Sequence, residues 1–422
     1  MVASVLLASL LVLQAGPEAP ARLPDFQKVF PEIDRLTEAK KFAELGQLFA
    51  DNNKDLRSPL VAVYEAIAWA DAGRPARAIQ ALEHAIEYGI RNPNVVTKYP
   101  SLGRLKSDPA WPGVEAKLEA LRKQLGDVDG FAVHTDDAEA FWKAFDLALA
   151  EPARAREFFS RMILEGSPAL RDYYANRYYS VDEIVATAIK KYPRYYQYLR
   201  NRFRPEQLEP IRDQVVANMK RLKGLYPEAI FPHGYLVIGT LNSAGSVTDL
   251  GVFIGLDKHG KGEGMPADEL DDAARKSISD TRSIPGTMTH ELMHFQQNYR
   301  DPLGPVVLRA VIEEGACDFL TDLVTGRPAE GARHRYLKEH EAEVLEDFRK
   351  ERNGSDLKKW MYSPSVGGRP VDLGYTLGSE ICRSYYEQAT DKTKALRELL
   401  NTSDFADLVR KGKYKAAVES RE

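Results

Sequence analysis

The stretch "SIPGTMTHELMHFQQ", residues 283–297, carries two histidines four positions apart, His290 and His294, with Glu291 directly after the first. Ser283, followed two residues later by a proline, is typical of a helix N-terminus. On a helix, positions i and i+4 share one face, so the two imidazoles can bind one ion. The glutamate is turned by about 100 degrees from the first histidine and is therefore expected beside that ion.

Two further observations favour a metal site over an ordinary amphipathic helix. Leu292, Met293 and Phe295 are apolar, as expected of a helix buried behind a metal site, whereas a surface helix more often carries charges there. Downstream, "VIEEGACDFL" contains Glu314, 20 residues after His294. A glutamate from a second helix would complete a set of two histidines and one carboxylate on one zinc ion, with the fourth position open.

Asp318 lies four residues after Glu314 and therefore on the same helix face. We expect it to accept a hydrogen bond from a histidine N–H and so to orient that ring. Glu313 is the rival ligand, but only Glu314 has a carboxylate at i+4. The alternative to metal binding is that Glu313 and Glu314 form a solvated pair at the start of a helix. Other histidines lack the registered spacing and are expected at the surface: His233, His259, His334 and His340.

At these motifs the chain resembles the gluzincin metallopeptidases, which carry HExxH on one helix and ExxxD on the next. Residues 136–415 resemble more closely a predicted zinc-dependent protease family of unknown function that overlaps the gliding-motility lipoprotein B group. The segments that carry this likeness are "YLVIGTLNSAGSV", "THELMHFQQ", "EEGACDFL" and "DLGYTLGSEICRSYYEQA". The resemblance implies His290, His294 and Glu314 as ligands of one zinc ion and Glu291 as the catalytic base.

In gluzincins the oxyanion is stabilised by a Tyr or His from a downstream helix. The segment "RPVDLGYTLG" offers Tyr375 for this role, with Arg369 as the second candidate. Asn242 and the backbone around Ala244 are candidates for holding the substrate.

The segment "YLVIGTLNSAGSVTDLGVFIGLD", residues 235–257, has two β-branched and apolar runs on either side of a turn cluster, Asn242 to Ser246. This pattern predicts a hairpin, whose edge strand could hold an extended peptide by β-addition. Most of the remaining chain has helical patterning. The predicted fold is therefore mainly α with a small antiparallel β element (α+β).

The segment "YEAIAWADAGRPARAIQALEHAIEYG" places small residues between Trp69 and Leu82 at helical spacing around Gly73. It resembles one tetratricopeptide repeat, and about three repeats are needed for a stable solenoid. We therefore predict a helical cap over residues 22–126 and a zinc metallopeptidase-like domain over 130–422. The small positions predicted to be core are Ala66, Ala70, Ala78 and Ala85.

The N-terminus, "MVASVLLASLLVLQAGPEAPAR", has an apolar run followed by small residues and prolines. It predicts a signal peptide over residues 1–21 and a secreted or periplasmic protein. No Lys or Arg precedes the run, so a simple anchor and a misassigned start codon are the alternatives. No other segment approaches the roughly 20 apolar residues of a membrane span.

The charge balance argues against nucleic-acid binding, and the cysteine content limits the possible disulfides. The chain has 58 Lys plus Arg against 62 Asp plus Glu, so no basic field is available for a nucleic-acid backbone. Two cysteines, Cys317 and Cys382, allow one disulfide or two buried thiols.

Two functions follow from these patterns. The first is a zinc-dependent metallopeptidase that acts on a peptide or protein substrate. The alternative is an envelope interaction or assembly protein, with a structural or vestigial zinc site and a protein partner on the N-terminal helical region. Structural zinc more commonly has four Cys or His ligands, and Glu291 would then be idle, which favours the enzyme.

Overall fold

The computed structural model describes residues 22–299, 306–327, 330–362 and 367–414. The predicted signal peptide, residues 1–21, lies outside the described residues. Helices make up most of the described chain, together with one small four-stranded sheet, which confirms the predicted fold class. Among the described helices, none combines the length and the apolar content needed to cross a membrane.

The helices fall into three groups along the chain. The N-terminal helices are α1 (Phe26–Glu38), α2 (Phe42–Asn53), α3 (Pro59–Asp71), α4 (Pro75–Glu87), α5 (Val95–Lys98), α6 (Pro100–Gly103) and α7 (Trp111–Leu125). The middle helices are α8 (Asp136–Ala150), α9 (Ala155–Glu165), α10 (Pro168–Tyr173), α11 (Val181–Ile184), α12 (Pro193–Arg202), α13 (Pro205–Leu225) and α14 (Asp272–Ser277). The later helices are α15 (Ile284–Gln296), α16 (Val306–Thr325), α17 (Ala332–Glu339), α18 (Glu341–Glu351), α19 (Leu373–Gln388), α20 (Lys392–Asn401) and α21 (Phe405–Gly412).

Four strands and several short helical turns lie between these helices. The strands are β1 (Val133–His134), β2 (Gly234–Val237), β3 (Gly245–Val247) and β4 (Val252–Gly255). The 3₁₀ turns are Arg104–Ser107, Val128–Gly130, Pro152–Arg154, Leu256–Lys258 and Thr281–Ser283. Two π-helical turns are Tyr174–Tyr178 and Val185–Lys191.

Helices α3 and α4 form an antiparallel pair packed through small residues. The hydroxyl of Ser58 caps α3 by accepting a hydrogen bond from the Val61 N–H, and Gly73 turns the chain with a φ of 68°. The predicted core positions are buried, namely Ala66, Trp69, Ala70, Ala78, Leu82 and Ala85. Their burial confirms the predicted packing of this pair, while the likeness to a tetratricopeptide repeat stays a prediction.

A buried carboxylate joins the N-terminal helices to the sheet. Asp249, in the turn between β3 and β4, is almost fully buried. It accepts hydrogen bonds from Asn92 Nδ2 (2.6 Å), Lys98 Nζ (2.9 Å) and Tyr99 Oη (2.9 Å). Because a buried carboxylate must be hydrogen-bonded to be tolerated, this contact fixes the N-terminal region against the β3–β4 turn.

The sheet is mixed, with strand order β1-β2-β4-β3. β2 runs parallel to both β1 and β4, and only β3 and β4 are antiparallel. The predicted hairpin turn at Asn242 to Ser246 is therefore wrong, because the antiparallel turn lies between β3 and β4. After β2, Asp257 accepts hydrogen bonds from the N–H groups of Gly239 and Leu241, both at 2.6 Å. These bonds turn the chain out of the sheet, and it returns as the edge strand β3 on the far side of β4.

His259 links the entry of β3 to the start of α15. It is 1% exposed, so the expectation that it lies at the surface is wrong. Its Nδ1 lies 2.9 Å from Ser283 Oγ, and its Nε2 lies 3.2 Å from the Ala244 carbonyl. Ser283 occupies the N-cap position of α15, but its hydroxyl donates to the Asp280 carbonyl (2.6 Å) and does not cap the helix.

Helices α16 and α19 cross with their backbones in contact. A Cβ added to Gly315 would lie 2.1 Å from the Gly378 carbonyl carbon, and one added to Gly378 would lie 1.9 Å from the Val311 carbonyl oxygen. No side chain fits between the two helices at this point. Near the crossing, Cys317 and Cys382 are both buried free thiols.

We expect Gly378→Ala to lower the free energy of unfolding by about 3 kcal/mol or more, since the new methyl group meets backbone atoms that cannot move independently. The matched control is Gly224→Ala in α13, where an added Cβ meets nothing within 4 Å. That change is expected to stabilise the protein by up to about 1 kcal/mol, because alanine favours a helix over glycine. Urea unfolding of the two variants measures both values, and similar unfolding midpoints would contradict the close crossing.

Candidate metal centre

Helices α15 and α16 bring together the side chains of His290, His294 and Glu314. The two Nε2 atoms lie 3.2 Å apart, and Glu314 Oε2 lies 3.3 Å from His290 Nε2 and 3.1 Å from His294 Nε2. Nitrogen and oxygen ligands held about 2.0–2.1 Å from a tetrahedral zinc lie about 3.3–3.4 Å from one another. The three atoms therefore have nearly the spacing that one zinc ion requires.

The other ring nitrogens are held by acceptors. His290 Nδ1–H donates to Asp318 Oδ1, and His294 Nδ1–H donates to Gln297 Oε1, both at 2.9 Å. Because each acceptor keeps a proton on Nδ1, Nε2 is the ring atom that faces the common point, and it can bind a metal that replaces the proton on Nε2. Asp318 is placed as expected. The sequence analysis missed Gln297, which lies one turn after His294 and was distinguishable only by its contacts.

The electrostatic field at this point favours a cation. Burial by itself lowers the pKa of His290, but hydrogen bonds to Asp318 and Glu314 outweigh it and raise that pKa to about 10. Burial by itself raises the pKa of Glu314, but its hydrogen bonds with the two histidines lower that pKa overall. The side chains of His290, His294 and Glu314 keep 14%, 22% and 12% exposure, so the group remains reachable from solvent.

Two residues near the three candidate ligands, Glu313 and Cys317, carry side chains of a type that binds zinc, but their contacts argue against this role. Glu313 does not join the histidines. Its side chain lies 3.7 Å from Arg309 Nε, and burial raises its pKa to about 7. Cys317 has its Sγ within 4.8 Å of histidine ring nitrogens. That sulfur accepts a hydrogen bond from Gln297 Nε2 (3.2 Å), on the Nδ1 side of His294. Burial holds the pKa of this thiol well above its usual range, whereas a metal needs the thiolate.

Glu291 faces a cleft of about 590 Å³ that is shared with the three candidate ligands. The edge strand β3 forms one wall, and a Cβ added to Gly245 would lie 2.5 Å from Glu291 Oε1. The absence of a side chain at Gly245 therefore lets the carboxylate lie against the strand. In the ranges that the structure describes, no strand pairs with the outer edge of β3.

Two tyrosines complete the wall opposite β3. The Tyr375 ring is stacked 6.0 Å from the His290 ring. The Tyr362 hydroxyl, which the sequence analysis missed, donates to Glu314 Oε1 (2.8 Å). Tyr362 has a φ of 59° and donates its N–H to Asp372 Oδ1 (2.8 Å). Burial, reinforced by the charge of Glu314, raises the pKa of both phenols, so both stay protonated at neutral pH.

Three further candidate residues lie outside the cleft: Asn242 and Ala244, predicted to hold substrate, and Arg369, the second candidate for the oxyanion donor. The Arg369 side chain is 7% exposed and pairs with two carboxylates of α18 at 2.7 and 2.9 Å. These ion pairs anchor that helix. Asn242 is exposed and donates to the Arg177 carbonyl (2.6 Å). The Ala244 carbonyl accepts from the Gly255 N–H (3.1 Å), which is part of the approach to β3. Among the described residues none of the three lines the cleft, whereas Gly245 and Ser246 of β3, which directly follow Ala244, do.

Part of the chain is similar to a known protein family. The family described as "Predicted Zn-dependent protease (DUF2268)" matches residues 256–405, which contain α15, α16 and α19. No curated protein and no solved structure matched the chain. The match supports the predicted zinc protease family, and its description together with the donor set indicates zinc as the metal.

We expect the purified protein to hold about one zinc ion, and Glu314→Gln to lose most of it, because a neutral amide is a poor zinc ligand. Glu313→Gln is the matched control, one residue away and without contact to either Nε2, and it should retain the metal. Elemental analysis after dialysis measures both. Equal zinc loss in the two variants would show that the third ligand is assigned incorrectly.

Proposed function

We propose that this protein is a zinc-dependent metallopeptidase that hydrolyses peptide bonds, with one zinc ion held by His290, His294 and Glu314. The observation that carries this proposal is the 3.1–3.3 Å triangle of ligand atoms in an open cleft beside Glu291. The family match supports the same class of activity. A secreted or periplasmic location is part of the proposal and depends on residues 1–21.

The chemistry divides between the ion and the chain. Zinc in such a site supplies Lewis acidity, which polarises a peptide carbonyl and makes water more acidic. Glu291 accepts the proton of the attacking water and later delivers it to the leaving amine. Its contact with Gly245 limits the positions that the carboxylate can occupy. This limit keeps the base between the ligands and the strand on which a substrate would lie.

The edge strand offers a binding mode for the substrate. An extended peptide can pair with the outer edge of β3 through backbone hydrogen bonds, which would lay the scissile bond across the cleft. Tyr375 is the proposed donor to the developing oxyanion, since its phenol stays protonated and its ring lies against His290. Substrate orientation would then come from the strand, and charge stabilisation from the opposite wall.

The alternative function, an envelope interaction or assembly protein with a structural zinc, has less support. A structural zinc usually has four protein ligands. Cys317 lies near enough to be considered as a fourth donor, but its buried sulfur accepts a hydrogen bond from Gln297. Glu291 would also lie in the cleft without a role. A protein partner on the N-terminal helices is compatible with either function.

Glu291→Gln is expected to keep the zinc and to lower peptide hydrolysis by about 10² to 10⁴-fold, because the amide cannot accept the proton. Cleavage of a mixed peptide pool, followed by mass spectrometry, measures the rate, and elemental analysis measures the metal. Undiminished cleavage in a zinc-loaded Glu291→Gln preparation would remove this residue from the mechanism.

Substitutions of the two tyrosines should have different effects on catalysis and on zinc binding. Tyr375→Phe is expected to lower kcat by about 10² to 10³-fold with zinc affinity unchanged, because only the oxyanion donor is lost. Tyr362→Phe removes the hydrogen bond that orients Glu314, so it should weaken zinc binding by about 10-fold to 100-fold. Competition with a chelator measures zinc affinity. A Tyr375→Phe enzyme with normal kcat would exclude this tyrosine as the donor.

A further inference from the structure

Arg177 lies beside the edge strand and faces the proposed active-site cleft. It belongs to the π-helical turn Tyr174–Tyr178. Its neighbour Asn176 reaches Ser246 Oγ in the centre of β3 (3.5 Å), and Arg177 lines the same cleft as His290. The side chain is therefore placed along the path of a peptide paired with β3.

The donors of this guanidinium are largely unused. A guanidinium has five N–H donors, and here Nη1 donates to the Asn176 carbonyl (3.3 Å). Among the described residues the buried Nε of Arg177 has no hydrogen-bond partner. Within the described ranges no carboxylate lies within 4.0 Å of Arg177, in contrast to Arg369, which pairs with two. A polar N–H held away from water without an acceptor is destabilising, so an incoming acceptor for this guanidinium is favoured.

The other Lys and Arg side chains that line the cleft in the described chain already lie beside carboxylates. Arg309 lies beside Glu313, and Glu314 lies against the histidines. Lys98 pairs with the buried Asp249 but remains 39% exposed and also faces the cleft. Lys98 comes from the N-terminal helices, so that region forms part of the wall. Arg177 is thus the cation of the cleft that lacks an anionic counterpart in the described chain.

We propose that Arg177, assisted by Lys98, binds a carboxylate of the peptide substrate, supplied by an acidic side chain or by a free C-terminus. The planar guanidinium can hold a carboxylate through two parallel hydrogen bonds, and the ammonium adds a second positive charge. This inference rests on the proposed peptidase function, which it deepens by naming the chemistry of the substrate.

The first test uses the wild-type, zinc-loaded protein and a peptide that it cleaves. Glu and Gln are compared at each position around the scissile bond, and a free C-terminus is compared with its amide. We expect kcat/KM to be about 10-fold to 100-fold higher for Glu at one position, or for the free acid, which also identifies the source of the carboxylate. Ratios near one in every comparison would overturn the proposal without any variant.

The second test assigns the preference to its residue. Arg177→Met removes the charge and should bring the Glu/Gln or acid/amide ratio close to one, while Arg177→Lys should retain part of it and Lys98→Met should reduce it less. The matched control is Arg161→Met on α9, an exposed arginine paired with Glu157 outside the cleft, which should leave the ratio unchanged. A full preference in folded, zinc-loaded Arg177→Met, or its loss in Arg161→Met, would contradict the assignment.

Binding separates this inference from the proposed function. Fluorescence anisotropy measures the affinity of labelled acidic and neutral peptides for Glu291→Gln, alone and combined with Arg177→Met. An Arg177-dependent preference for acidic peptide, without hydrolysis by wild type, would support the carboxylate site and overturn the peptidase. Hydrolysis without any preference would do the reverse. Absence of both binding preference and hydrolysis would overturn both.

Discussion

The backbone contact between α16 and α19 is the constraint on which the site depends. Gly315 and Gly378 allow the two helices to touch, and Glu314 directly precedes the first of these glycines. The position of Glu314 relative to α15 is therefore fixed by the backbone contact between α16 and α19. Because packed backbones deform little, the ligand atoms can be held within 3.1–3.3 Å of one another. The same crossing positions Tyr375, one turn before Gly378 on α19.

Two regions of the chain line the cleft, one inside and one outside the segment that matches the protease family. The candidate ligands and Glu291 lie inside the segment that matches the zinc protease family, residues 256–405. The opposite wall, formed by β3, Arg177 and Lys98, lies outside that segment. In the proposed function, catalysis and substrate selection would thus be carried by separate regions, joined through Asp249. The N-terminal helices contribute to the cleft itself, which a detached cap would not do.

Sequence patterns failed where long-range pairing decided the outcome. The two β-branched and apolar runs located β2 and β4, but such runs carry no information on which strands pair. The hydrogen bonds of Asp257 redirect the chain between the two strands. Arg369 follows a glycine-rich segment, a position that favours a site residue, yet carboxylates of α18 hold it in the interior. Tyr362 has a positive φ and lies outside the described helices. Helical spacing in the sequence therefore could not predict that its hydroxyl reaches Glu314.

The sequence by itself predicted the mainly helical class, the candidate donor set of His290, His294 and Glu314, and Asp318 as the acceptor for a histidine. Helix geometry is local, so an i, i+4 spacing reports which side chains share a face before any fold is known. Only the tertiary structure decided which atoms meet across α15 and α16, and which strand borders Glu291. It also left Arg177 without an anionic partner among the described residues. These features depend on contacts between distant segments, and spacing along one chain does not encode them.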